Sequence, residues 1–139
     1  MSPAAVLALA DLREGMTAGF DFIIDDADME AFAVLSGDRN PLHRDQDFAK
    51  GRGFSGCVVY GALLVAKVSR LVGMDLPGRD ALWNSLQIQF VAPLIVGERA
   101  RLEASVTQVS ESTRSAALQL TVMSGSKTVA RGKALVSVL

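Results

Sequence analysis

Asp38, Asn40, Pro41 and His43 fall within one run of six residues, and His43 is the only histidine of the chain. An aspartate and a histidine make a usable general acid/base pair: the imidazole titrates near neutrality, and an ionised carboxylate orients a water or stabilises the imidazolium. Their separation limits the backbone that can bring them together. Positions five apart do not stack on one helical face, which needs a spacing of three or four. Pro41 lacks a backbone donor and pushes Asn40 toward extended angles, so Gly37 to Pro41 is expected to end a helix and turn, leaving the motif non-helical. On such a turn the Asp38 and His43 side chains converge and the Asn40 amide braces them. Taken alone, so short a match more often marks a helix cap and a satisfied histidine. The surrounding chain therefore has to carry the reading.

The elements that position this stretch show as patterns. Thr17 to Ile24 places Phe20, Phe22 and Ile24 on one side, as a strand does. Asp25 and Asp26 offer an N-cap, and Met29, Phe32 and Ala33 at helical spacing predict a helix over Ala27 to Leu35 that delivers the chain to Gly37. Residues 1–15 read as a weak helix or an irregular arm with no assignable chemistry. After His43, Asp45 to Lys50 suggests a short helical turn. Gly51 to Gly56 is a loop whose glycines match neither dinucleotide nor P-loop spacing, which suits a lid better than a phosphate cradle.

Val58 to Gly73 is apolar on nearly every side and is expected as one long helix enclosed by other structure. Gly61 near its start leaves an N–H without an intrahelical partner where the helix dipole favours negative charge. Those are the ingredients of an oxyanion hole, although a glycine there also serves plain packing. Tyr60 offers either a hydroxyl to a ligand or an aromatic wall. Cys57 lacks a second histidine to activate it as a nucleophile. From Asp80 onward four segments alternate apolar and polar residues, around Leu86 and Ile88, Leu102 and Ala104, Leu118 and Leu120, and Ala134 and Val136. Short polar turns join them, so an antiparallel sheet with one covered face is expected, wrapped around the long helix in an α+β fold.

Composition sets the outer bounds. With 139 residues, 50% of them apolar, one domain over the whole chain 1–139 is expected. A net charge of −1 favours neither nucleic acid nor an anionic membrane surface as partner. A single cysteine excludes an internal disulfide, and with one histidine no metal cluster is expected, which suits a reducing, cytoplasmic setting. The apolar stretch Val6 to Ala10 has no basic residue before it and Asp11 after it, unlike a secretory signal. The run from Val58 to Gly73 contains Lys67 and Arg70 and is shorter than the roughly 20 residues of a membrane span.

Ser36-Gly37-Asp38-Arg39-Asn40-Pro41-Leu42-His43, with Asp45, Phe48 and Ala49 following, resembles the hydratase motif of the MaoC-like dehydratases and (R)-specific enoyl-CoA hydratases. Phe54, Val58 to Leu63, Leu76-Pro77-Gly78, and Phe90 to Pro93 through Gly97 resemble later blocks of the same family, so the likeness covers most of the chain. One position departs: the family usually has His-Gly where this chain has Tyr60-Gly61. The resemblance implies a hotdog fold, a homodimer, and reversible hydration of trans-2-enoyl-CoA to (R)-3-hydroxyacyl-CoA in fatty acid metabolism. It further implies that Asp38 and His43 hold the reacting water and that the Gly61 amide steadies the thioester oxygen. Asn40, Tyr60 and Ser69 would shape or support the pocket, with Asn84 as a further polar neighbour. Coenzyme A would enter as part of the substrate, with no separate cofactor, and Lys67, Arg70, Arg114 and Arg131 are candidates to meet its phosphates. Rival readings are a hydratase for an unusual acyl group, a non-catalytic acyl-thioester-binding module, and thioester hydrolysis. Hydrolysis is weakened because the central helix bears no carboxylate.

Overall fold

The computed structural model describes residues 2–139. Its strands are β1 (Thr17–Ile23), β2 (Ala81–Phe90), β3 (Arg99–Ser110), β4 (Ser115–Ser124) and β5 (Lys127–Val138), in one sheet of order β1-β3-β4-β5-β2. Every neighbouring pair is antiparallel. The period-2 pattern explains the sheet's two faces: Leu102, Ala104 and Val106, Leu118, Leu120 and Val122, and Ala134, Val136 and Val138 all point into the core and are buried. Gly132 lets the β2 and β5 backbones close up, since a Cβ there would sit 2.3 Å from the Gln87 carbonyl oxygen.

Four helices connect β1 to β2: α1 (Asp26–Ser36), α2 (Pro41–Arg44), α3 (Gln46–Gly51) and α4 (Gly61–Met74). α1 starts on a reciprocal cap in which Asp25 Oδ1 accepts from the Asp28 N–H at 2.9 Å and Asp28 Oδ2 accepts from the Asp25 N–H at 3.1 Å. It stops at Gly37, whose φ of 78° is a left-handed cap open to glycine at little strain. That stop releases the chain toward Asp38.

The sheet wraps α4, the hotdog arrangement, and Leu64, Val68, Leu71 and Val72 fill the space between them. Two expectations for this helix need correcting. It begins at Gly61 rather than Val58, because Val58 pairs in a β-bridge with Ile95 and the Val59 N–H donates to the Leu94 carbonyl at 2.8 Å. Branched side chains at both positions favour that extended pairing. Nor is α4 enclosed on every side, since Ala62, Ala66, Ser69 and Arg70 leave one stripe exposed. Among the described residues 2–16 the arm is irregular apart from a 3₁₀ turn at Leu9–Asp11 and a β-bridge from Val6 to Gly78, and it is tied down where the Ala5 N–H donates to the Met74 carbonyl at 2.8 Å.

Candidate active site

The loop from Gly37 to Asn40 is built from hydrogen bonds between near neighbours. Ser36 Oγ accepts from the Asp38 N–H at 3.0 Å, and Asp38 Oδ1 accepts from the Asn40 N–H at 3.0 Å. Asn40 Oδ1 in turn accepts from the Leu42 N–H at 2.9 Å, so Asn40 braces the turn through its side chain. The expectation of a non-helical motif holds only as far as Asn40. Pro41 to Arg44 forms one helical turn, because proline at the first helical position loses no hydrogen bond and has its φ preset. His43 therefore rides on α2 while Asp38 stays on the loop before it.

His43 is half-buried, and its Nδ1 lies 2.6 Å from the Val58 carbonyl oxygen. A carbonyl only accepts, so Nδ1 carries a proton, and in the neutral imidazole Nε2 is the nitrogen with the lone pair. The imidazole is stacked on the Tyr60 ring, centroids 4.2 Å apart and planes 28° apart. Tyr60 is buried, and its hydroxyl donates to the Asp38 main-chain carbonyl at 2.5 Å. Asp38 itself is exposed, with Oδ1 engaged by Asn40 as described. Beside the pair, Arg44 is bonded to Glu30 on α1, and Arg39 lies 4.0 Å from the same carboxylate. The two neighbouring cations are thus partly answered by one anion.

Gly61 opens α4, so its N–H has no acceptor within the helix. A Cβ at this position would come within 2.9 Å of Phe90 Cζ, so a larger residue here requires the half-exposed Phe90 ring to shift. A cavity of about 360 Å³ lies here, with Val58, Gly61 and Leu64 on one side and Phe90, Pro93 and Leu94 on the other. Its wall includes Val58, the residue whose carbonyl holds His43, while the side chains of Asp38 and His43 lie outside it. The structure thus brings Asp38, Asn40, His43, Tyr60 and Gly61 into one neighbourhood.

Ser69 does not join them. It is exposed on α4, eight residues past Gly61, a rise of about 12 Å along the helix. Asn84 sits on the edge strand β2 and accepts from the Ser137 hydroxyl at 2.7 Å. Of the basic residues named for phosphate contacts, Arg70 lies 3.9 Å over the Phe20 ring and Lys67 5.7 Å over Phe22. Arg114 donates to the Val138 carbonyl at 3.3 Å, and Arg131 is exposed on β5. The Cys57 thiol is pushed up by burial and then by the Asp26 and Asp45 carboxylates, against a smaller opposing effect of Arg44. It therefore stays protonated and makes a poor nucleophile. Sequence reasoning missed the Val58 carbonyl and Phe90 as parts of the site. A main-chain acceptor has no side-chain signature, and Phe90 reads as a strand residue opening a later family block, with nothing to place it over Gly61.

The chain matches the MaoC like domain over residues 12–128. It belongs to the MaoC-like family. Among curated relatives, the 3-hydroxybutyryl-CoA dehydratase of Methylorubrum extorquens is 32% identical over 96% of this chain and 85% of its own length. The (R)-specific enoyl-CoA hydratase of Rhodospirillum rubrum is 30% identical over 92% of this chain and 89% of its own length. Among solved structures, an (R)-hydratase from A. caviae involved in PHA biosynthesis superposes with a TM-score of 0.88, covering 92% of this chain and 98% of that one at 32% identity. The hotdog fold and the family read from the motif blocks agree with these likenesses, and the named relatives are hydratases and dehydratases.

Proposed function

We propose that this chain hydrates trans-2-enoyl-CoA to (R)-3-hydroxyacyl-CoA, and catalyses the reverse dehydration, with Asp38 and His43 activating one water. The observation that carries the reading is the orientation of His43: Nδ1 is committed to the Val58 carbonyl, so Nε2 is the nitrogen left to act as base, and the ring lies against Tyr60, whose hydroxyl holds the Asp38 loop. In hydration a water held between the two groups loses a proton as its oxygen bonds to the β-carbon. The electron pair of the double bond moves toward the thioester, and a proton then reaches the α-carbon. Charge gathers on the thioester oxygen, and the Gly61 N–H, which has no acceptor within α4, would receive it. Water supplies both the hydroxyl and the added proton, so atoms balance with protein groups alone and coenzyme A enters as part of the substrate.

Two further features belong to this reading. A second copy would pair along β2, one of the two sheet edges, where Leu82 and Phe90 are each 52% exposed. A reducing, cytoplasmic setting suits the free thiol of Cys57. No helix among the described residues is long and apolar enough to cross a membrane.

The test is the product. Crotonyl-CoA is incubated with the protein, and the 3-hydroxybutyryl-CoA formed is presented to dehydrogenases specific for the (R) and the (S) isomer. Oxidation by the (R)-specific enzyme alone is expected. An (S) or racemic product contradicts the stereochemistry, and free thiol in place of hydroxyacyl thioester would point to hydrolysis.

A further inference from the structure

Tyr60 is the largest fully buried side chain among the described residues, at 2% exposure. It immediately precedes α4 yet makes no side-chain cap to that helix. Its hydroxyl reaches across 22 residues of sequence to the Asp38 carbonyl at 2.5 Å, and its ring lies against the His43 imidazole at 4.2 Å. Phe32 of α1 holds the ring from another direction, at 4.6 Å and a tilt of 51°. One side chain therefore touches both members of the acid/base pair, the first through its main chain and the second through its ring. A packing role would need only the ring, which phenylalanine also supplies.

The bond from His43 Nδ1 to the Val58 carbonyl fixes one atom of the imidazole but leaves rotation about that bond free. A flat aromatic face removes the rotation. The Asp38 loop is likewise held by bonds to its near neighbours Ser36 and Asn40, and Asn40 in turn caps α2, but none of these bonds ties the loop to the chain entering α4, where the Val58 carbonyl holds His43. The Tyr60 hydroxyl supplies that missing tie. Burial, and then the Asp38 carboxylate, push the phenol up, so it remains a donor through the neutral range.

We propose that Tyr60 is a positioning residue that sets the placement of Asp38 relative to His43, its hydroxyl fixing the loop and its ring fixing the imidazole plane. The kinetic consequence rests on the hydratase reading; the placement itself does not. Two variants separate the two ties. Tyr60→Phe keeps the ring and deletes the hydroxyl, whereas Tyr60→Leu deletes both. Misplacement of reacting groups by about 1 Å costs up to about a hundredfold, so kcat for crotonyl-CoA is expected to fall about tenfold in Tyr60→Phe and about a hundredfold in Tyr60→Leu. KM should stay within about twofold in both, since substrate binding is not what Tyr60 serves.

Proton NMR reads the geometry without turnover. His43 is the only histidine, so its imidazole signals form one assignable set. Their upfield ring-current shift is expected to persist in Tyr60→Phe and vanish in Tyr60→Leu. The Arg39 amide, in the same peptide group as the Asp38 carbonyl, is expected to shift in Tyr60→Phe. Wild-type kcat with an unmoved Arg39 amide in that variant overturns the proposal, as does a loss of kcat that merely follows the fraction unfolded at the assay temperature. If the wild-type protein hydrates no enoyl thioester, the hydratase reading fails, and the two NMR shifts alone decide for or against the placement.

Discussion

His43 is held through Nδ1 by a main-chain carbonyl, and Gly61 sits beneath Phe90, where an added methyl group would displace the ring. The second feature yields a sharp prediction. In Gly61→Ala the Cβ comes within 2.9 Å of Phe90 Cζ and the half-exposed ring must swing away, at a cost below the roughly 1–3 kcal/mol of overpacking a closed core. Thermal unfolding should show a lower Tm for Gly61→Ala, and Phe90→Ala added to it should recover most of the loss. An unchanged Tm in the single variant would show that Phe90 yields freely. At this scale the sequence was legible where a side chain carries its own signal over a short span, as Asp38, Asn40 and His43 do. It was silent where the partner is a main-chain atom, as with Val58, or lies 29 residues away, as Phe90 does from Gly61.

Among the elements, α1 and α2 do the aiming. α1 is fixed at its start by the Asp25 and Asp28 pair and ends at a left-handed glycine, so the Asp38 loop leaves it at a set angle. Replacing Asp25 with alanine removes the acceptor for the Asp28 N–H and should destabilise the protein by about 1 kcal/mol, read as a lower urea midpoint with an unchanged m-value. A midpoint equal to wild type would mean that solvent replaces the cap without loss. Both the Asp25 cap and the helical spacing after it were visible beforehand, because local chemistry sets them. The α2 turn was not, because proline was read there as a breaker when at the first helical position it is a starter. The start of α4 was displaced for a different reason: Val58 and Val59 are apolar in any periodicity, and only the partner strand segment at Leu94 and Ile95 shows them to be extended.

For the whole molecule, the order β1-β3-β4-β5-β2 leaves β1 and β2 as edges, and β2 carries exposed Leu82 and Phe90, with exposed Val91 directly after it. Pairing of two copies along β2 would cover those side chains and bring a second sheet beside the Gly61 cavity. Light scattering on eluted protein should then give twice the 14.7 kDa chain mass, and Leu82→Lys should shift the protein toward the single-chain mass. A wild-type protein at 14.7 kDa would remove the dimer. The sheet and its one covered face were readable from alternation alone, whereas the exposed stripe of α4 was not, since Ala62 and Ala66 look as apolar as the buried Val68. The central claim, that Asp38 and His43 together hydrate an enoyl thioester, is tested most directly by following loss of the enoyl thioester absorbance of crotonyl-CoA. Wild type is run beside Asp38→Asn and His43→Asn, each checked for an unchanged circular dichroism spectrum. Rapid loss is expected with the wild type, and rates about 10²–10⁴-fold lower in each variant, the scale of one well-placed acid or base. Near-wild-type rates in either folded variant would contradict the account.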